Sequence, residues 1–116
     1  MSDCLFCKII NGEIPSNKIY EDDYVYAFYD ISPQAPKHFL VIPKQHIESA
    51  NDINAENSVY VSKCFEAISK IVKELEIAES GYRVVNNCGE DGQQTVKHLH
   101  FHILGGRSLQ WPPGWF

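Results

Sequence analysis

Hydrophobic side chains in segment 54–80 recur at intervals of three and four residues, which is the period of one face of an α-helix. Charged side chains fall largely on the other face. The apolar face is formed by Val61, Phe65, Ile68, Val72 and Leu75. Asn54 has the side chain of a typical N-cap, and Gly81 stands where helices commonly end. The pattern predicts one long helix that lies on a sheet.

Shorter runs rich in aromatic and β-branched residues predict the strands of that sheet. They cover residues 18–20, 24–29, 38–42, 82–86 and 96–104. Acidic residues 21–23 form the expected hairpin turn, and the two prolines of segment 31–36 predict a loop because proline cannot donate to a ladder. Residues 9–14 are expected to be a short helical or irregular lead-in. The fold is therefore predicted to be α+β, an antiparallel sheet of about five strands covered by one long helix.

Length and charge limit the functional classes. The chain has 116 residues, about the size of one domain, so residues 1–116 are expected to form a single domain. A formal charge of −5 disfavours binding to nucleic acid or to an anionic membrane surface. No apolar run approaches the roughly 18–20 residues that span a bilayer, and the first residues lack the pattern of an export signal. We expect a soluble protein of the cytoplasm, and also of the nucleus where a cell has one. Its four cysteines are expected to be thiols or metal ligands.

Three of the five histidines alternate with hydrophobic residues in the last predicted strand, in the order His98, Leu99, His100, Phe101, His102. Alternate side chains of a strand share a face, so the imidazoles would lie on one side about 6.6 Å apart and the hydrophobic residues would enter the core. Such a row can ligate a catalytic zinc ion. Alternatively, its central ring can attack phosphorus while its neighbours fix the tautomer. The spacing alone does not choose between the two chemistries.

The loop before this strand favours phosphorus chemistry. Its glycines, amides and hydroxyl suit anionic oxygens better than they suit a metal ion. These residues are Asn87, Gly89, Gly92, Gln93, Gln94 and Thr95.

The histidine row resembles the signature His-x-His-x-His-x-x, x being hydrophobic, of the histidine triad family of nucleotide hydrolases and transferases. Segments 30–36, 38–44, 81–83, 104–107 and 111–114 are similar to the Hint branch of that family. The resemblance implies a histidine triad fold and a purine nucleoside phosphoramidase of the adenosine 5′-monophosphoramidase type. Such an enzyme cleaves a nucleoside 5′-monophosphate from an amine through a covalent nucleotidyl-histidine intermediate.

The resemblance also implies roles for individual catalytic residues. His100 holds the position of the nucleophile, whose Nε2 would attack the α-phosphorus while the backbone carbonyl near His98 holds its Nδ1 proton. His102 would donate to a phosphoryl oxygen, and Thr95 would bond to the phosphate or to the leaving amine. His38 would orient the phosphate side of the site.

Further residues are implied as nucleotide ligands. Asp30 would accept both ribose hydroxyls, and Phe28 and Ile31 would form the purine slot. Asn87 would hold the phosphate from the neighbouring strand. Gln93 marks a departure, because the family usually has glycine there, and the lost backbone freedom could alter turnover or substrate choice.

Cys4 and Cys7 form a Cys-x-x-Cys pair, which can be two chance thiols, a redox pair or half of a Cys2His2 zinc site. A redox pair prefers a βαβ setting, which the N-terminal sequence does not offer. Some members of the family bind zinc through two N-terminal cysteines, a histidine after the Pro-Lys segment and the first triad histidine. The resemblance thus implies a structural zinc ion held by Cys4, Cys7, His46 and His98, with no open position for a water molecule.

The C-terminal segment 111–116 is aromatic and stiffened by proline, so a partner surface is expected to cover it. In Hint proteins this segment contributes to a two-fold dimer, which implies a homodimer with Trp111 near the partner's leaving-group pocket. Two functional alternatives stay open: a nucleotide-binding scaffold with little turnover, and a metal-dependent hydrolase that uses the triad as ligands.

Overall fold

The structure, a computed structural model, describes residues 3–116, so Met1 and Ser2 of the predicted domain lie outside the described residues. The helices are α1 (Leu5–Ile10) and α2 (Ser58–Glu74), with a 3₁₀ turn at Ala50–Asp52 before α2. The strands are β1 (Lys18–Glu21), β2 (Val25–Tyr29), β3 (Lys37–Pro43), β4 (Tyr82–Val85) and β5 (Phe101–Gly105). They form one antiparallel sheet in the order β1-β2-β3-β5-β4, which confirms the predicted α+β fold. Within residues 3–116, neither helix is long and apolar enough to cross a membrane.

The two faces of the sheet are covered by different helices. Along β3, Phe39 and Val41 pack into the cluster that contains the buried face of α2, whereas Leu40 and Ile42 pack with Phe6 of α1. Burial of each such side chain contributes about 1.5–3 kcal/mol. The short N-terminal helix is therefore held by a hydrophobic cluster of its own, on the face opposite α2.

The start of α2 differs from the prediction. Asn54 does not cap the helix, because its Oδ1 accepts the backbone N–H groups of residues 56 and 57 at 2.9 and 3.1 Å and closes a separate turn. The helix begins at Ser58. Ile68 and Val72 are buried as predicted, but Phe65 is 46% exposed. The buried stripe is centred on other residues, and its members are Cys64, Ala67, Ile68, Ile71 and Val72.

The end of α2 also comes before the predicted one at Ser80. Glu76 takes a positive φ of 59°, and the next backbone N–H, of Ile77, donates to the carbonyl of Val72 at 3.0 Å. The N–H of Glu76 donates to the carbonyl of Lys73 at 3.2 Å. These two bonds form a Schellman ending, for which glycine is the usual residue. The prediction that the helix ends just before Gly81 was therefore wrong, because Glu76 takes the left-handed conformation that ends it five residues earlier.

The last strand is shorter than the predicted segment 96–104. Ladder pairing starts at Phe101, opposite Val41 of β3, and Pro43 near the end of β3 has no N–H with which to continue the ladder. Instead, the N–H of Leu99 donates to the carbonyl of Ile47 at 2.6 Å. The alternation of faces survives: Leu99 and Phe101 join the cluster under α2, and His100 packs against α1. On the neighbouring strand, β4 ends at Val85, one residue before the predicted end.

Candidate active site and metal centre

His98 lies at the junction of two groups of polar side chains. Its ring is fully buried, and Nε2 lies 2.8 Å from the carbonyl oxygen of Pro43. A carbonyl can only accept, so Nε2 carries the proton and Nδ1 keeps a free lone pair. Nδ1 points to the Sγ atoms of Cys4 and Cys7, at 3.3 and 3.6 Å. This is the tautomer of a metal-binding histidine whose second nitrogen is held by a carbonyl.

Cys4, Cys7, His46 and His98 can hold a metal ion, since one ligand atom from each lies within 4.8 Å of all the others. The Sγ atom of Cys7 is 3.4 Å from Nδ1 of His46. Zinc bonds of about 2.3 Å to sulfur and about 2.0 Å to nitrogen place tetrahedral S and N ligands about 3.5 Å apart, which fits these contacts. Burial and the Cys4 thiol raise the pKa of Cys7 to about 11, so a thiolate here needs a nearby cation. The four residues thus fit zinc in distance, and His98 also fits it in tautomer.

His100 is oriented by its own backbone. Its Nδ1 lies 2.7 Å from the carbonyl oxygen of His98, so Nδ1 carries the proton and the Nε2 lone pair is free. The ring is 4% exposed and meets the edge of the Phe6 ring, with centroids 5.0 Å apart. Burial lowers the pKa of His100, which keeps the ring neutral and nucleophilic at pH 7.

His102 and His38 form a chain of hydrogen bonds with fixed direction. The backbone N–H of Gln34 donates to Nδ1 of His38 at 3.1 Å, so the proton of that ring is on Nε2. Nε2 of His38 lies 2.9 Å from Nδ1 of His102 and donates to it. His102 therefore carries its proton on Nε2, the position from which it can donate to a phosphoryl oxygen. Burial, followed by the charges of His100 and His38, lowers the pKa of His102 to about 4.

Asp30, His38 and His102 also bring three ligand atoms within 4.8 Å of one another. A metal ion would take the Nε2 lone pair of His38 and leave the proton on Nδ1. That proton would face the backbone N–H of Gln34, and two donors would meet. The chemistry of this donor set therefore disfavours a catalytic metal ion held by Asp30, His38 and His102.

A cavity of about 480 Å³ opens beside His102. Asp30, Asn87 and Gln93 line it together with His38, as does Phe116 of the C-terminal segment. Asp30 Oδ1 accepts the backbone N–H of Ser32 at 2.7 Å, while Oδ2 is 3.5 Å from Nε2 of His38. The cavity thus combines a carboxylate, two imidazoles and amide side chains, a set suited to a polar, phosphate-bearing ligand.

Some predicted residues lie outside this cavity. Thr95 is exposed and lines another cavity, beside Cys4 and His46. Ile31 is 96% exposed, and Phe28 is buried against the ring of Phe6 at a centroid distance of 5.7 Å. Neither Ile31 nor Phe28, the two residues predicted to form the purine slot, lines this cavity.

The loop before the triad is held by hydrogen bonds between one side chain and the backbone. Nε2 of Gln94 donates to the carbonyl oxygens of Glu48 and Val96, and its Oε1 accepts the N–H of Gly89. Gln93 has a φ of +63°, in the region that favours glycine, so the departure noted in the sequence falls where backbone freedom is used.

Three residues of the site were missed by the sequence analysis. Phe6 packs on the nucleophile from α1, Gln34 fixes the tautomer of His38 through its backbone, and Asn86 donates to the backbone of His100. The position of Phe6 between Cys4 and Cys7 was a usable signal for a residue near the metal centre. A backbone donor such as that of Gln34 leaves no signal in residue type.

The five-stranded sheet and the histidines on and before its strand β5 indicate one class of protein, and comparison with known sequences identifies the same class. The model of the HIT domain family matches residues 11–109, and the chain belongs to that family. A purine nucleoside phosphoramidase of Escherichia coli is 48% identical over 105 residues, 90% of this chain and 88% of that protein. An uncharacterized HIT-like protein of Synechococcus elongatus is 49% identical over 112 residues, 97% of each chain.

Solved structures give the same result. A histidine triad protein from Clostridium difficile superposes with a TM-score of 0.92 at 55% identity, covering 95% of this chain and 96% of that one. A HIT family hydrolase from Legionella pneumophila superposes with a TM-score of 0.94 at 46% identity, covering 97% and 100%. The predicted family and fold are confirmed.

Proposed function

We propose that the protein hydrolyses the P–N bond of purine nucleoside 5′-phosphoramidates, of which adenosine 5′-monophosphoramidate is one, through a covalent nucleotidyl intermediate on His100. The observation that carries the proposal is the 2.7 Å hydrogen bond from Nδ1 of His100 to the carbonyl of His98, which leaves Nε2 as a free nucleophile. The similarity to a phosphoramidase of E. coli supports the choice of substrate.

The reaction has two balanced steps. In the first, the Nε2 lone pair of His100 forms a bond to the α-phosphorus, the P–N bond breaks, and the leaving amine takes up a proton from solvent. In the second, water attacks phosphorus, the bond to Nε2 breaks, and the proton taken up in the first step is returned. The products are an amine and a nucleoside 5′-monophosphate, and His100 is again neutral. Nδ1 keeps its proton on the His98 carbonyl throughout.

The chain of imidazoles supplies the donor for the phosphate. His102, with its proton on Nε2, would donate to a phosphoryl oxygen as negative charge increases on it. His38 holds that tautomer from the other side of the ring. Neither ring gives up a proton, because the backbone amide at the end of the chain cannot supply another. Both therefore act as oriented hydrogen-bond partners.

The remaining contacts are part of the same proposal. Asp30 would accept the ribose hydroxyls through the Oδ2 atom, and Asn87 and Gln93 would contact the phosphate from the cavity wall. The exposed Ile31 offers an apolar surface for one face of the purine, with Phe28 and its cluster as the buried side. Gln94 would hold the loop before the triad in place through its hydrogen bonds to the backbone of Glu48, Gly89 and Val96. Thr95 would reach the phosphate or the leaving amine only by turning away from the cavity that it now lines.

We further propose that Cys4, Cys7, His46 and His98 bind a structural zinc ion. When bound, zinc would supply no reaction step and would hold α1, and with it Phe6, against the sheet. Support comes from the fit of the ligand distances and from the tautomer of His98. Cys4, Cys7, Cys64 and Cys88 form no disulfide within the described residues, which supports our proposal that the protein acts in the reducing cytoplasm.

A homodimer is the assembly we propose. Trp111 and Trp115 are 79% and 61% exposed, which leaves an unusually large apolar surface in contact with water if the protein is a monomer. The last residues of the tail line the cavity of their own chain, held by Arg83, which donates to the carbonyls of Gln110, Pro113 and Trp115. Trp111 is left free to contact a second subunit.

The experiment that tests the function is a turnover assay with an adenosine 5′-phosphoramidate, with and without a chelator. We expect release of the amine in both cases, with activity lost in His100→Ala although the variant still binds nucleotide. A scaffold protein would bind nucleotide without turnover. A metal-dependent hydrolase would lose activity promptly on chelation while remaining folded.

A further inference from the structure

The nucleophile sits just outside the regular part of the sheet. β4 ends at Val85, which pairs with His102 of β5, and β5 begins at Phe101. The backbone of His100 is therefore beyond the ladder that holds the rest of the strand. At this point a side chain takes over: Nδ2 of Asn86 donates to the carbonyl oxygen of His100 at 2.9 Å.

Orientation of the His100 ring has two separate requirements. The bond from Nδ1 to the His98 carbonyl fixes the ring relative to residues 98–100. It does not fix that segment relative to the sheet. The N–H of Leu99 ties the segment to Ile47, in the loop after β3, at 2.6 Å, and Asn86 ties it to the end of β4 on the other side.

The choice of residue at this place is informative. Asn86 is half-buried and follows two β-branched apolar residues of β4, so a polar side chain here costs free energy unless its hydrogen bonds are made. The side-chain amide of Asn86 supplies an N–H donor at the place where a backbone N–H of a longer β4 would have bonded to β5. A hydrophobic side chain at position 86 would leave the carbonyl of His100 without this donor.

We propose that Asn86 is a positioning residue for the nucleophile: its side-chain amide extends the β4–β5 pairing by one bond and fixes the distance of His100 Nε2 from the phosphorus. The inference rests on the proposed function. In-line attack requires reacting atoms about 3–3.5 Å apart, and a displacement of about 1 Å can cost about 100-fold in rate. Asn86 acts on the attack and not on nucleotide affinity, because Asp30 and His102 form the binding cavity independently of it.

The test compares Asn86→Ala and Asn86→Asp with the full-length wild type. Asn86→Asp keeps the shape of the side chain but has no N–H to donate. For adenosine 5′-phosphoramidate hydrolysis we expect kcat to fall about 10- to 100-fold in both variants, with KM changed less than about threefold. A single-turnover experiment should show the same loss in formation of the nucleotidyl-histidine.

The matched control is Asn57→Ala. Nδ2 of Asn57 also donates to a backbone carbonyl at 2.9 Å, that of Asp52, in the turn before α2. This substitution removes a bond of the same kind and length away from the site. Its kcat should equal that of the wild type.

A second readout is independent of turnover. The Nδ1 proton of His100, in its 2.7 Å bond, should give a distinct downfield NMR signal in the wild type, and Asn86→Ala should shift or broaden it. Folded Asn86 variants with kcat within about twofold of the wild type would overturn the proposal. Failure of both variants to fold would also overturn it, because the bond would then serve stability. Absence of turnover in the wild type would instead contradict the proposed function, and an unchanged Nδ1 signal in Asn86→Ala would then decide against the positioning role.

Discussion

Lowering the pH should destabilise the protein through His102. Burial holds the pKa of this ring at about 4 in the folded chain, against 6.5 in the unfolded chain. The unfolded chain therefore binds a proton first as the pH falls. The contribution of His102 to stability is complete above pH 6.5 and is lost as the pH falls towards 4, in total about 3 kcal/mol. Between pH 7 and pH 5 the loss is about 2 kcal/mol.

The measurement is urea unfolding at pH 7 and pH 5 of the wild type and of His102→Asn. The asparagine can still accept from Nε2 of His38, but it does not titrate. Carboxylates and metal ligands titrate in both proteins, so their effects cancel in the difference. We expect the free energy of unfolding to fall by about 2 kcal/mol more in the wild type than in the variant. An equal fall in both proteins would refute the assignment of His102 as a partly buried, neutral imidazole.

Three further predictions follow from single contacts. Protein purified without chelator should carry about one zinc ion per chain. If zinc is present at about 100 times its Kd, chelation should lower the free energy of unfolding by about 3 kcal/mol. A zinc content below about 0.2 per chain, or a Cys4→Ser variant with the Tm of the wild type, would contradict the site. Gln93→Gly should raise the free energy of unfolding by about 0.5–1 kcal/mol, because it removes the cost of a positive φ, and a lower Tm would count against strain at this position. Phe6→Ala should cost about 3–5 kcal/mol in chemical denaturation, and a loss under about 1 kcal/mol would show that the ring is not packed against His100.

Two effects can keep the nucleophile neutral. Clustered imidazoles disfavour each other's protonation because like charges repel, and burial disfavours the charged form of each ring. In the structure burial is the larger cause of the lowered pKa of His100, and repulsion is a smaller part of the same shift in His102. We therefore expect kcat/KM to fall at a pH below the ordinary pKa of an imidazole, because burial lowers the pKa of these rings more than their mutual repulsion does.

Sequence alone was sufficient where one residue type has one physical use. The alternation of His98 to His102 with hydrophobic residues predicted the faces correctly even though only part of the segment is a strand. Period two describes any extended backbone, and ladder bonds are not required for it. The two cysteines alone left three interpretations open, and it was the resemblance to the family that grouped Cys4 and Cys7 with His46 and His98. The structure brings ligand atoms of these four residues within 4.8 Å of one another.

Sequence was insufficient where backbone groups decide the outcome. The end of α2 depends on Glu76 in a left-handed conformation, which glutamate rarely adopts. The start of β5 depends on Pro43 of another strand, and the tautomer of His38 depends on the N–H of Gln34. None of these three can be read from local composition, because each involves a partner or a dihedral angle that the residue type does not specify.

The central claim is that a neutral imidazole at position 100 forms a covalent bond to phosphorus. The most direct test is to quench the protein during turnover of an adenosine 5′-phosphoramidate and to locate any adduct by mass spectrometry. We predict a mass increase of one adenylyl group on the peptide that contains His100, formed equally in the presence of a chelator and absent in His100→Ala. An adduct on another residue, or turnover with no adduct at the earliest times, would contradict the account.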